Sequence, residues 1–316
     1  MIISASRRTD IPAFYSDWFM NRIREGYLFV QNPFNAHKYS KVDLSPNAVD
    51  AIVFWTKNPQ PMLKYLDELD GMGFNYYFQF TLTGYPSSIE PSVPPVEEVK
   101  ASFKELSKRL GAERVVWRFD PIIISDITSE NVILKNFKEI SDELQEYTKR
   151  VMISFADFYK KVLKNLSNLE HEMNIKFYDI SLSRDQVSRV SSNLAEIARK
   201  NSMQIFSCAE EYDLLEFGIE HGKCIDDGLI NKLFGFALNA PKDKYQREAC
   251  GCVQSQDIGQ YNSCIHDCVY CYANFNKNMA HKNKMSHDPH SPFLLGNGHF
   301  SEESKEKRED QLRLHI

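Results

Sequence analysis

Apolar and polar positions follow two periods over the first 210 residues. Short runs dense in apolar residues predict strands: Ile2 to Ser6, Ala51 to Trp55, Tyr76 to Leu82, Arg114 to Phe119, Val151 to Phe155 and Gln204 to Ser207. Between them, apolar residues recur at helical spacing. Trp18, Phe19 and Ile23 form one such face, ending near Gly26. Met62, Leu63, Leu66 and Leu69 form the next. Val96, Val99, Phe103, Leu106 and Leu110 follow a loop carrying Pro91, Pro94 and Pro95. Ile133, Phe137, Ile140 and Leu144 give another stripe, and Val187, Val190, Leu194 and Ile197 the last. Repeated strand–helix units predict parallel α/β architecture, a full or partial TIM-like (β/α) barrel in preference to an open sheet. No internal repeat and no glycine-rich phosphate loop interrupts the pattern.

After about residue 240 the texture changes. Pro241-Lys242-Asp243-Lys244 is a polar turn, and a cysteine-rich stretch runs from 250 to 272. The expected organisation is a barrel over 1–249, a cysteine-rich loop packed on it over 250–276, and a polar extension over 277–316. Ser301 to Ile316 is charged and reads either as a surface helix or as disordered chain.

Composition narrows the class. Hydrophobic content of 42% supports a sizeable core. The net charge of -5 argues against broad, sequence-independent nucleic-acid binding, which rests on phosphate neutralisation, although a local basic groove is compatible with it. No run reaches the roughly 20 apolar residues that a membrane span needs. Met1-Ile2-Ile3-Ser4-Ala5-Ser6 reads as a first strand without a basic leader, so a cytoplasmic protein is expected. Clustered cysteines in that compartment favour metal or redox chemistry over disulfides, and an odd number suits a closed disulfide set poorly.

All seven cysteines lie at or beyond residue 208. The tightest group, Cys264-Ile265-His266-Asp267-Cys268-Val269-Tyr270-Cys271, is Cys-x-x-x-Cys-x-x-Cys. Three thiolates so close together can cap three irons of a four-iron cluster and leave the fourth open. An open iron is what S-adenosyl-L-methionine needs. Tyr270 would stand beside it, where a ring can stack on adenine. A closed zinc site is the competing reading, completed by His266 or by Cys250 and Cys252. Cys208, Cys224, Cys250 and Cys252 remain, a full ligand set for a second four-iron cluster or for zinc; alternatively, Cys208 and Cys224 are small core residues. His287 and His290 read either as metal ligands or as solvated tail residues.

Polar residues gather at the expected C-terminal strand ends, where barrels of this kind build their sites. Arg7, Arg8 and Asp10 follow the first strand, and Thr56, Lys57 and Asn58 the second. Gln79, Thr81 and Thr83 share a face of the third; Arg118 and Asp120 share one of the fourth, with Trp117 and Phe119 opposite. Ser154 is near the end of the fifth. Tyr270, Arg118, Asp120, Lys57, Arg7 and Arg8 are candidates to contact S-adenosyl-L-methionine or substrate; a purely structural Arg118–Asp120 pair is the alternative.

The stretch Cys264 to Asn274, CIHDCVYCYAN, resembles the cluster loop of the radical S-adenosylmethionine superfamily, in particular its spore photoproduct lyase-like branch. Over nearly its whole length the chain also resembles the domain of unknown function numbered 1848. Ser6 to Pro12, Phe54 to Pro59, Arg118 to Pro121, Cys250-Gly251-Cys252 and His287-Asp288-Pro289 carry that likeness. The superfamily resemblance implies a (β/α) barrel, a 4Fe-4S cluster on Cys264, Cys268 and Cys271, reductive formation of a 5′-deoxyadenosyl radical, and an electron donor such as flavodoxin or ferredoxin. The substrate, small molecule or macromolecule, is not specified by it. Two features depart from the superfamily pattern. No Gly-Gly-Glu type segment is evident, and the cysteine loop follows the last strand where the superfamily places it after the first. A circular permutation, with Val253 to Ile258 feeding the loop and Ile2 to Ser6 as the next strand, accounts for the second. A zinc-stabilised barrel of non-radical function and a DNA-lesion repair lyase are the alternative functions.

Overall fold

A computed structural model describes residues 1–32 and 35–296. Its centre is one eight-stranded sheet. In chain order the strands are β1 (Ile2–Ala5), β2 (Ala51–Thr56), β3 (Tyr76–Thr81), β4 (Val115–Ile122), β5 (Arg150–Phe155), β6 (Gln204–Ser207), β7 (Glu220–His221) and β8 (Gln256–Asp257). Their spatial order is β7-β6-β5-β4-β3-β2-β1-β8, and every neighbouring pair is parallel. The six strands expected from the apolar runs are all present; β7 and β8 complete the sheet.

Side-chain alternation along these strands makes two apolar faces. Ile3, Ile52, Phe54, Tyr76, Phe78, Trp117, Phe119, Val151 and Ile153 belong to the larger core. There they pack with helical residues such as Trp18 and Phe19 of Ser16–Glu25, Phe103 of Val96–Leu110, Phe137 of Glu130–Leu144 and Leu194 of Arg184–Lys200. Gly26 takes a left-handed conformation, φ 76°, and ends the first of these helices. Ile2, Val53, Tyr77, Val116 and Met152 point the other way and join a second core with Leu229 and Ile230 of the helix Asp227–Phe234.

The full barrel does not form. Among the described residues no ladder joins β7 to β8, so the sheet is open. Both outer strands are two residues long and offer too little edge for closure. The chain between them crosses the second face, where it supplies Cys224, Ile225, Cys250, Cys252 and Val253 to that core.

The expected permuted connection has a structural counterpart. Strand β8 pairs in parallel with β1 through Ile3↔Gln256 and Ser4↔Asp257. Asp257 accepts hydrogen bonds from Ser4 Oγ (3.0 Å), Ser6 Oγ (2.6 Å) and the Arg7 N–H (3.0 Å). The cysteine loop thus leaves the sheet beside the chain leaving β1. Past residue 277, the helix Lys277–Met285 and the turn after it pack back on the first helix: Trp18 Nε1 donates to the Ser291 carbonyl at 2.9 Å. Residues 301–316 lie outside the described residues.

Candidate functional site

The loop carrying Cys264, Cys268 and Cys271 is held from several sides. Thr9 Oγ1 and Ser263 Oγ are 2.6 Å apart, and the Tyr15 hydroxyl donates to the Ser263 carbonyl at 2.7 Å. The Val269 N–H reaches the Ile89 carbonyl at 3.0 Å, and Asn165 Nδ2 donates to the Val269 carbonyl at 3.0 Å. Gly259 permits the close approach at the base: a Cβ there would overlap Ser6 and stand 2.8 Å from Thr9 Oγ1. Burial pushes the Cys264 thiol up, helped by Asp10, and burial also pushes the Cys268 thiol up against the pull of Lys57.

His266 is 3% exposed, and its Nε2 lies 2.8 Å from Asp10. Asp10 also caps the Ala13 N–H at 3.0 Å and accepts the Lys57 N–H at 2.7 Å. One carboxylate therefore ties together the turns after β1 and β2 and the cysteine loop. His287 bonds the Leu294 carbonyl at 2.8 Å, and His290 stands 3.5 Å from Asn21.

Of the candidate binding residues, Lys57 forms a buried ion pair with Glu90 at 2.7 Å. Glu90 Oε1 also receives Thr83 Oγ1 at 3.1 Å and the Tyr270 hydroxyl. Tyr270 meets Tyr85 edge-on at 6.3 Å between ring centres. Burial opposes the charge on Lys57, but Glu90, Cys268 and Asp120 more than offset it. Nothing periodic in the sequence marks Glu90, which sits in a proline-rich loop; its pairing is legible only in three dimensions.

Arg118 and Asp120 do form a pair, and Ser154 donates to the same carboxylate. Arg118 is also tied to sulfur, with Nη1 2.7 Å from Cys224 Sγ and Nη2 3.9 Å from Cys208 Sγ. Its guanidinium lies 4.9 Å from the Trp55 ring centre; that of Arg7 is 5.5 Å from the same ring. Arg8 instead covers Tyr261 at 5.0 Å. Glu210, just beyond β6, accepts the Phe155 N–H at 2.7 Å, and burial pushes its carboxyl up to about 8.

Cys208, Cys224, Cys250 and Cys252 meet in the second core. Cys208 Sγ and Cys224 Sγ are 3.1 Å apart, Cys252 Sγ accepts the Ile225 N–H at 3.4 Å, and Cys250 is buried in the same cluster. All seven cysteines are free of disulfides. S–H donation from Cys224, followed by the charge of Arg118, pulls the Cys208 thiol down. Donation from Cys224 and Cys250, followed by Arg7, does the same to Cys252. Cys224 and Cys250, the donors, are raised.

Among the described residues, the buried donor atoms without a hydrogen-bond partner include Arg7 Nη2, Trp55 Nε1 and Lys161 Nζ. Burial lowers the Lys161 ammonium, with Cys271 acting against the fall. Lys161 Nζ lies 4.7 Å from the Phe275 ring centre, and a cation without a hydrogen-bond partner near Cys271 suits an anionic, thiolate-held group. Among the described residues, no three His, Cys, Asp or Glu side chains already surround a single ion-sized centre.

No described helix is long and apolar enough to cross a membrane. No curated protein matches the chain. The sequence profile described as "Domain of unknown function (DUF1848)" matches residues 2–273, which takes in all eight strands and every cysteine, and the chain belongs to that family.

Proposed function

We propose that the protein is a radical S-adenosylmethionine enzyme whose catalytic 4Fe-4S cluster is held by Cys264, Cys268 and Cys271. One observation carries the reading. The Cys-x-x-x-Cys-x-x-Cys loop leaves the C-terminal end of a parallel strand, β8, beside β1, and Lys161, whose Nζ has no hydrogen-bond partner, acts on its last cysteine. Three thiolates leave one iron open, and when bound the cluster supplies the electron that cleaves S-adenosyl-L-methionine to a 5′-deoxyadenosyl radical.

This chain's own residues divide the remaining work. Asp10 and His266 fix the loop against β1 and β2. Glu90 fixes Lys57 and Tyr270, so the positive charge facing Cys268 is held without freedom to wander. Arg7 Nη2, Trp55 Nε1 and Lys161 Nζ are spare donors for the polar groups of cofactor and substrate. Lys57 and Arg118 are already paired, which suits them to setting the field of the site.

The test is anaerobic reconstitution with iron and sulfide, then addition of S-adenosyl-L-methionine and dithionite. The expected result is a brown protein with about four irons at the open cluster that releases 5′-deoxyadenosine, and a Cys268→Ala variant that releases none. A reconstituted protein that stays colourless, or a Cys268→Ala variant as active as the parent, overturns the proposal.

A further inference from the structure

We infer that Cys208, Cys224, Cys250 and Cys252 form a second metal centre, closed by four thiolates, that staples together the two edges of the open sheet. The inference does not rest on the reading of the other three cysteines.

The four sulfurs come from separate parts of the chain. Cys208 directly follows β6, Cys224 lies just past β7, and Cys250 and Cys252 precede β8. Strands β7 and β8 are the opposite edges of the sheet, and no ladder joins them among the described residues. The chain segments beside them meet across the second face, where the Val253 N–H donates to the Ile225 carbonyl at 3.1 Å and the Ile225 N–H to Cys252 Sγ at 3.4 Å. A metal bound to these sulfurs would join the edges where strand pairing does not.

The surroundings are built for charged sulfur. Cys224 is pinned through its carbonyl by the Tyr77 hydroxyl at 2.6 Å and by Gln79 Nε2 at 2.8 Å, both from β3. Gly251 lets the Cys-Gly-Cys turn lie against the chain before Cys224, since a Cβ there would stand 3.1 Å from the Gly222 carbonyl oxygen. Arg118, 5% exposed, donates to Cys224 at 2.7 Å as well as to Asp120. A neutral thiol is a weak acceptor and compensates a buried guanidinium poorly. Four thiolates on one divalent ion, or on a 4Fe-4S cluster in its two-plus state, carry a net charge of minus two. Arg118, shared with Asp120, and the charge of Arg7 offset part of that charge. As neutral thiols, Cys208 and Cys224 would leave Asp120 alone to compensate the buried Arg118.

Loading requires movement. Tetrahedral Zn–S bonds of about 2.3 Å place sulfurs about 3.8 Å apart, whereas Cys208 and Cys224 stand at 3.1 Å. For that pair the spread needed is under an ångström for zinc and larger for a cluster, and among the described residues no ion-sized centre is preformed. Both metals use the same four-thiolate chemistry.

The experiment uses the full chain carrying Cys264→Ser, Cys268→Ser and Cys271→Ser together, so that metal on the first loop cannot contribute. It is loaded anaerobically, in one arm with zinc and in the other with iron and sulfide, then assayed for metal and acid-labile sulfide, with circular dichroism to establish folding. One zinc without sulfide, or about four irons with sulfide, supports the site and tells the two metals apart. Adding Cys250→Ser, or separately Arg118→Gln, should weaken retention against a competing chelator by about tenfold or more. A folded triple-serine chain that retains neither metal overturns the inference, as does retention unaffected by Cys250→Ser.

Discussion

At the scale of single residues, the site is organised by carboxylates that each serve several chain segments. Glu90 collects Lys57, Thr83 and Tyr270 on one oxygen. Lys57→Met should therefore destabilise the fold by about 3–5 kcal/mol, because it strands a buried carboxylate without its cation. Chemical denaturation measures this; a loss below about 1 kcal/mol, the range of exposed pairs, would mean that water already screens the pair. Lys57→Met/Glu90→Gln should recover part of the loss. The cysteines and the strand-end polar residues were visible in the sequence because their spacing and alternation are local. Glu90 and Asp257 were not, because each is a lone acid whose importance comes from partners far along the chain. Arg118 was singled out as a binding residue or as half of a pair with Asp120; its contacts with Cys208 and Cys224 depend on residues some 90 or more positions away, a relation no local pattern encodes.

At the scale of elements, β8 and the turn after it decide where the cysteine loop stands. Gly259 sits where the loop passes Ser6 and Thr9. Gly259→Ala should cost about 1–3 kcal/mol by overpacking and should lower iron incorporation, since the loop would have to lift from β1. Iron content measured after reconstitution, beside the parent, checks it; parental iron in a destabilised Gly259→Ala chain would separate the loop's position from cluster assembly. Strands β1 to β6 were legible because each is an apolar run flanked by polar turns. Strands β7 and β8 have two residues each, too few to make a period. The broader run Val253 to Ile258 suggested a strand, of which only Gln256 and Asp257 pair, because Val253 turns into the second core instead. The helix Lys160–Met173 buries Val162, Leu166 and Leu169 at helical spacing, a stripe that the strand–helix pattern of the sequence analysis does not include; it bears Lys161, whose Nζ has no hydrogen-bond partner.

At the scale of the molecule, a parallel sheet with most of its helices on one face, and a cysteine-bearing segment with the helix Asp227–Phe234 across the other, replaces the full barrel. Alternating strand and helix signals define parallel pairing well, but closure depends on what the terminal strands do, and their sequences are short. If a metal centre staples the edges, loading it should slow amide hydrogen exchange around residues 220–225 and 252–258 and leave the centre of the sheet unchanged. Equal exchange with and without metal would confine the centre to a local role. The net charge of -5 also predicts only weak association with random DNA; tight DNA binding with a steep salt dependence would favour the repair-lyase alternative, and a flat salt response would remove it.

The central claim is that three cysteines at the end of β8 hold a cluster that activates S-adenosyl-L-methionine. The most direct measurement is 5′-deoxyadenosine formed by the anaerobically reconstituted, dithionite-reduced protein, alongside Cys264→Ala, Cys268→Ala and Cys271→Ala. The account predicts nucleoside from the parent chain and none from any of the three variants, each of which keeps Cys208, Cys224, Cys250 and Cys252. An iron-loaded parent that forms no nucleoside, or a variant of this trio that still does, would contradict it.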